Sequence, residues 1–298
     1  MCIRDRSPHF NARWGKLAAE FLQAKRSPET LQPFVNTILG QPWKTEGENL
    51  DEHELYQRRE AFSLDALPPE VLWLTAGIDC QDDRLEVVIL GHGETDLFAL
   101  GHEVFWGPID GDQVWQDLDS LLKQVWPHPL GGTIRIDAAC IDSGDGGHTG
   151  LVHNFTHARF GRRIVSVKGV PGFSRPFLQR SGTKGQLLWL AGVDALKSQI
   201  FNRLSRAQGF RFADVLEPIY FEQLASERRM IRYTRGRPEA RFERVKGRRA
   251  ETLDATCYAW AARQLIGQKV EARQAEVSSP AAPKKVPTVI RSKWLGGI

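Results

Sequence analysis

Three carboxylates stand where they could do chemistry. Asp79 closes the apolar run VLWLTAGIDC, Asp142 closes the run IRIDAACID, and Asp254 interrupts the helix-forming segment ETLDATCYAWAA. A single acid at a strand end is ordinarily a turn or cap residue. Three acids, at the ends of adjacent strands and on a covering helix, would repel one another and be costly to desolvate unless a cation joined them. Oxygen ligands favour the hard cations Mg²⁺ or Mn²⁺ over zinc. Two such ions held about 4 Å apart activate a water and stabilise the leaving oxygen in phosphodiester hydrolysis. Three of the four cysteines, Cys80, Cys140 and Cys257, lie within three residues of these acids. A mixed Cys/Asp site mismatches soft thiolate with Mg²⁺, so they read as small buried side chains.

The elements that must position these acids are legible in outline. Residues 71–80, 84–91 and 96–105 read as three strands of a β-meander, the first two joined by the polar turn Gln81-Asp82-Asp83. A helix is expected over 112–126, with Val114, Leu118, Leu121, Leu122 and Val125 on one face. A fourth strand covers 134–141, and a fifth covers 163–168 after an intervening helix. Helices are expected over 193–207, over part of 220–231 and over 251–266. This order is α/β, a mixed five-stranded sheet of ribonuclease H-like type with flanking helices. Before it, Trp14, Leu17, Ala18, Phe21 and Leu22 recur at helical spacing. Pro68-Pro69 marks a boundary, so residues 1–69 read as an N-terminal segment and linker, and 70–268 as the main domain. Residues 269–298, rich in Ala, Pro, Ser and Lys, read as a flexible tail. Met1 to Ser7 read as an appended start.

The 298 residues carry a net charge of +4, with 41% apolar and 26% charged residues, which excludes a disordered chain. No apolar run reaches the roughly 18 residues of a membrane helix, and no secretory signal opens the chain. Four scattered cysteines without a C-x-x-C pair indicate neither a disulfide framework nor a zinc knuckle, and fit a reducing compartment. The modest net charge conceals a segregation. Residues 1–150 hold 12 Lys and Arg against 25 Asp and Glu, a net of −13, whereas 151–298 hold 28 against 11, a net of +17. A basic face built by the second half suits a nucleic-acid backbone, although the two halves could also neutralise each other in a compact fold. Its densest part is 228–249, with ten Lys and Arg in 22 residues and a Gly236-Arg237-Pro238 turn between two extended arms. Arg228, Arg229, Arg235, Arg237, Arg248 and Arg249 are its candidate phosphate contacts, with Lys168 at the end of the fifth strand. A solvated charged hairpin is the alternative.

Five strings carry a specific resemblance: FVNTILGQPW (34–43), GIDCQDDRLEV (77–87), IDSG (141–144) with the following GGHT, LAGVDALK (190–197) and LDATCYAWAA (253–262). In this order the chain resembles the large terminase subunit of tailed bacteriophages, in its GpA-like branch, over its nuclease half and the end of the preceding ATPase half. The resemblance implies a ribonuclease H-like endonuclease cutting concatemeric viral double-stranded DNA in the host cytoplasm, with Asp79, Asp142 and Asp254 as catalytic ligands of two Mg²⁺ or Mn²⁺ ions. Glu251, three residues before Asp254 and on the same helix face, is the substitute ligand. It further implies a terminase small subunit and a capsid portal as partners, with Trp294-Leu295 a candidate docking motif, and no membrane association. The chain departs from the family's usual DSGG-His-Thr by the inserted Asp145, which leaves His148 as a loop-stabilising imidazole or, less simply, a participant. No G-x-x-x-x-G-K-[ST] phosphate loop occurs, so no ATPase activity is expected. A non-catalytic DNA-binding or docking module, or another ribonuclease H-like nuclease of resolvase or transposase type, would share the acids; the string FVNTILGQPW argues against the last.

Overall fold

The computed structural model describes residues 14–25, 28–40, 50–144, 146–182, 187–234 and 237–279. The chain divides into two compact units, residues 1–48 with 230–241 and residues 49–229 with 242–298. In the first, helix α1 (Trp14–Ala24) is followed by α2 (Pro28–Pro33) and a wider helical turn over Phe34–Ile38. The rings of Phe21 and Phe34 meet at 5.7 Å.

The second unit opens with α3 (Glu52–Gln57), β1 (Arg59–Glu60), β2 (Trp73–Cys80), β3 (Arg84–His92), β4 (Leu97–Trp106), α4 (Asp112–Leu121), β5 (Val125–Pro127) and β6 (Thr133–Asp142). It continues with α5 (Thr149–His157), β7 (Ile164–Val170), β8 (Leu178–Arg180), β9 (Leu188–Gly192), α6 (Val193–Ser205), β10 (Phe210–Ala213) and α7 (Pro218–Leu224). The strands β11 (Glu227–Thr234) and β12 (Arg237–Arg244) follow, their residues 230–241 belonging to the first unit, and the second unit closes with α8 (Glu251–Ala262) and α9 (Val270–Val277).

The sheet order is β1-β10-β4-β3-β2-β6-β7-β9-β8, with β5 paired to β6. The meander β2–β3–β4 is antiparallel, and β6, β7 and β9 continue parallel from β2. This is the ribonuclease H-like arrangement, in a sheet of ten strands rather than the expected five. The five expected strands form its centre. The extra ones are short: β1, β10 and β9 find their partners far away in sequence, and β5 and β8 are three-residue pieces too brief to show a pattern. The central strands lack polar alternation because both faces are covered: β2 is buried from Trp73 through Asp79.

Other expectations change for physical reasons. The helix from 112 stops at Leu121, because Trp126 pairs with Ile134 in β5 instead of extending the helical face. The helix expected within 220–231 ends at Leu224, and its remainder becomes β11. Residues 50–69 are no linker: β1 pairs with β10, and Leu50, Leu55, Phe62 and Leu67 join the main core, so the unit begins near residue 49. The tail expected from residue 269 begins with the helix α9. Its Arg273 is buried, donates through Nε to the Leu72 carbonyl at 2.7 Å and through Nη2 to Asp137 Oδ2 at 2.8 Å. Residues 280–298, with Trp294-Leu295, lie outside the described residues, as does Asp145.

Helix α8 is the keystone for function. From Thr252 to Ala262 every residue but Asp254 is buried, because the helix packs on β2, β3 and β6 and is covered by α6 and α7. Its approach is so close that a Cβ on Gly77 would collide with the Ala255 carbonyl and the Ala259 amide. Gly77→Ala is therefore expected to push α8 off the strand that carries Asp79, and to destabilise the fold by about 3 kcal/mol, measurable by urea unfolding.

Candidate active site

The site grows from two neighbouring strand ends. β2 and β6 run parallel with Ile78 opposite Ile141, so the next residues, Asp79 and Asp142, emerge side by side. The α8 helix, seated on Gly77, brings Asp254 over them. The structure thus gathers the three predicted acids into one electrostatic neighbourhood. Asp79 is 6% exposed and accepts a hydrogen bond from Gln81 Nε2 at 2.6 Å. Burial first, and then the Asp254 carboxylate with Asp142 and Glu251, push its pKa well above the ordinary value. Asp142 accepts from the Gly144 amide at 3.1 Å and from the Tyr258 hydroxyl; burial, seconded by Asp254, raises it as well. Burial and the same three acids hold the Tyr258 hydroxyl protonated.

Asp254 has different company. Lys197 Nζ lies 2.9 Å from Asp254 Oδ1 and 2.9 Å from Glu227 Oε1, with both Lys197 and Glu227 buried. Burial alone would lower the lysine pKa, but Asp254 and Glu227 outweigh it and hold the ammonium charged. Arg244 Nη2 stands 3.8 Å from the other oxygen of Asp254. Sequence reasoning missed Lys197, yet a signal exists: it shares a helical face with Ile200, Phe201 and Leu204, all buried.

The substitute ligand Glu251 is committed elsewhere. It pairs with Arg84 at 3.1 Å and with Arg249 at 3.2 Å. Those two arginines also hold Glu86, which stands opposite Asp79 across β2–β3 and is fully buried. Burial would raise Glu86, but His102, Arg84 and Arg249 overcome it and bring it to about 2. This network braces the strand carrying Asp79.

The basic candidates separate in the same way. Lys168 and Arg228 are exposed. Arg229 donates to Asn202 Oδ1 at 2.9 Å. Arg248 is paired with Glu52 at 2.7 Å, and Arg249 with Glu86 and Glu251, so both are tied into the fold. Arg235 and the Arg237 side chain lie outside the described residues. His148 Nε2 meets Asp82 Oδ1 at 2.6 Å, clasping the loop after β6 to the β2–β3 turn. The Cys140 and Cys257 thiols are buried and pushed upward by that burial, which keeps them neutral and poor ligands.

Among the described residues no three His, Cys, Asp or Glu side chains already form a coordination shell. The donor chemistry nevertheless fits a hard divalent cation. Asp79 and Asp142 are adjacent and desolvated, and their hydrogen-bond donors are neutral, a charge arrangement that a cation would relieve.

A ribonuclease H-like sheet with a buried and a half-buried acid at neighbouring central strand ends, beneath a helix carrying a third, is the framework of a nuclease domain. The chain belongs to the family of the terminase large subunit gpA endonuclease domain, whose model matches residues 6–275. It is 27% identical over 275 residues to the terminase large subunit of Enterobacteria phage P21, covering 86% of this chain and 42% of that one. To the terminase large subunit of Escherichia phage lambda it is 27% identical over 268 residues, covering 85% of this chain and 41% of that one. The chain thus spans about two-fifths of the length of these curated relatives. Among solved structures, the human cytomegalovirus terminase nuclease domain aligns at 12% identity with a TM-score of 0.42, over 75% of this chain and 96% of that one.

Proposed function

We propose that this domain is the metal-dependent endonuclease of a phage DNA-packaging terminase, with Asp79, Asp142 and Asp254 as its cation ligands and concatemeric viral double-stranded DNA as its substrate. The observation that carries this reading is the adjacent pair at the ends of β2 and β6, Asp79 buried and Asp142 half-buried, both with raised pKa values and neutral hydrogen-bond donors. Mg²⁺ or Mn²⁺ bound there, as two ions across the scissile phosphate, would supply a polarised water and charge stabilisation of the leaving oxygen. The protein's own part is positional. Gln81 orients Asp79, the Gly144 amide and Tyr258 orient Asp142, and α8 carries Asp254. Membership of the terminase family supports DNA, the small subunit and the capsid portal as partners, and the host cytoplasm as the place of action. Among the described residues no helix is long and apolar enough to cross a membrane.

Plasmid nicking tests the reading: Mn²⁺ or Mg²⁺ should support conversion of supercoiled DNA, and EDTA should stop it. Binding without nicking under every cation would leave a docking module instead. The basic hairpin is read as the grip on the DNA backbone, supported by the charge density of 228–249 and by Arg244 at its base, beside Asp254. Arg235→Ala with Arg237→Ala should weaken binding to all sequences alike. The slope of log K against log salt should fall by roughly one for each phosphate that is no longer neutralised. An unchanged slope would leave the hairpin merely solvated. Arg248 and Arg249, held in ion pairs, should contribute less than Lys168 and Arg228.

A further inference from the structure

The three acids are unequal. Asp79 and Asp142 have neutral partners, an amide, a backbone N–H and a phenol. Asp254 already has a cation at contact distance: the Lys197 ammonium, 2.9 Å from Oδ1, on a side chain only 9% exposed. Lys197 is equally close to Glu227, also 9% exposed, so the ammonium has a second buried acid to stay with if Asp254 lets go. Counting formal charges, Asp79 and Asp142 together present −2 beside neutral donors, whereas Asp254, Glu227 and Lys197 together present only −1, with the Arg244 guanidinium a further positive charge 3.8 Å from the other Asp254 oxygen.

The geometry points to Lys197 as a positioning residue that withholds Asp254 from a divalent cation, so that the site takes one ion firmly on Asp79 and Asp142 and a second, involving Asp254, only weakly until a DNA phosphate adds negative charge. This rests on the assignment of the three acids as cation ligands. A lysine fully sequestered by Asp254 alone would block the third ligand outright. Glu227 makes the arrangement reversible, because Asp254 can turn toward a cation while the ammonium remains paired within the fold. The position of Asp254 depends on α6 as well as α8, and Lys197 is the link between them.

The test is a Mn²⁺ titration of the whole chain without DNA, with free Mn²⁺ followed by electron paramagnetic resonance. Wild type should bind one Mn²⁺ tightly and a second at least about 10-fold more weakly. Lys197→Met should tighten the second ion by about 10-fold or more, since Asp254 and Glu227 lose their ammonium. Lys197→Arg, which keeps the charge, should preserve the inequality. Glu227→Gln, which keeps the lysine on Asp254 but removes a negative charge, should weaken the second ion further. Two equally tight ions in the wild type would overturn the inference, while loss of both in Asp79→Asn would leave the ligand assignment standing. An unchanged second ion in a folded Lys197→Met would also overturn it. If Lys197→Met does not fold, the wild-type stoichiometry and the Glu227→Gln titration decide. No bound Mn²⁺ at all would overturn the ligand assignment and this inference together.

Discussion

Asp79→Asn is expected to abolish nicking while making the metal-free protein more stable. The two effects share one cause. Asp79 is desolvated and faces Asp254, Asp142 and Glu251, so in the folded state its charged form is disfavoured and its pKa raised. A carboxylic acid with a raised folded pKa favours folding most when protonated. Metal-free wild type should therefore gain stability as pH falls from neutrality toward the unfolded carboxylate pKa of about 4. Asparagine removes the charge with little change of shape and still offers an oxygen to Gln81. The variant should melt above the wild type at pH 7, and the difference should shrink in acid. The same substitution removes a ligand from the proposed cation site. Several kcal/mol of transition-state stabilisation, roughly three decades in rate at about 4 kcal/mol, should disappear. DNA affinity should remain. Added Mn²⁺ should raise the melting temperature of wild type but not of the variant. Nicking that survives in Asp79→Asn would remove this residue from the ligand set, and a lower metal-free melting temperature would contradict its placement as an uncompensated buried acid.

Arg273→Met should cost about 3–5 kcal/mol, the usual result of leaving one partner of a buried ion pair alone. Arg273 and Asp137 have side chains 5% and 11% exposed. The arginine also donates to the carbonyl of Leu72, just before β2, so it fastens α9 to β6 and to the entry of β2, the strands that carry Asp142 and Asp79. Even with this partner, burial brings the Asp137 pKa up to about 6. Because that folded value is raised, the ionised acid opposes folding, and wild-type stability from this group increases as pH falls through 6. Without the guanidinium the opposition grows. The loss on Arg273→Met should thus be larger at about pH 8 than at about pH 5, measured by urea unfolding at both. Asp137→Asn in the same background should recover much of it. A loss that is small and independent of pH would show that α9 is not held by this pair.

Much of the centre of this fold is legible in the chain. The runs 71–80 and 84–91 separated by Gln81-Asp82-Asp83 can hardly be anything but a hairpin, and an acid closing each of two apolar strands marks itself by contrast. Asp254 stands out for the same reason among Ala, Leu, Cys, Tyr and Trp. The short strands at the sheet edges were not legible. β10 has four residues and β1 two, and they are strands only because β4 and each other supply hydrogen bonds. Helix α9 was hidden by composition: a segment of mixed polar residues is anchored by the buried Arg273 and Val277.

Residue types and local spacing by themselves determined the central strands, the covering helix, the three acids and the segregation of charge, because apolar periodicity and a lone charge in an apolar run are local properties of a chain. Only the tertiary structure decided which charges are committed to the scaffold. Arg248 and Arg249 look like any other member of the basic run, yet Glu52, Glu86 and Glu251 bind them into the fold. Glu251 has the same helical spacing as a ligand and is taken by Arg84 and Arg249. Lys197 looks like an ordinary helix lysine and becomes the cation on Asp254. A charge's role follows from the opposite charges brought within a few ångströms of it and from how much water is removed, and both are set by long-range packing rather than by neighbours along the chain.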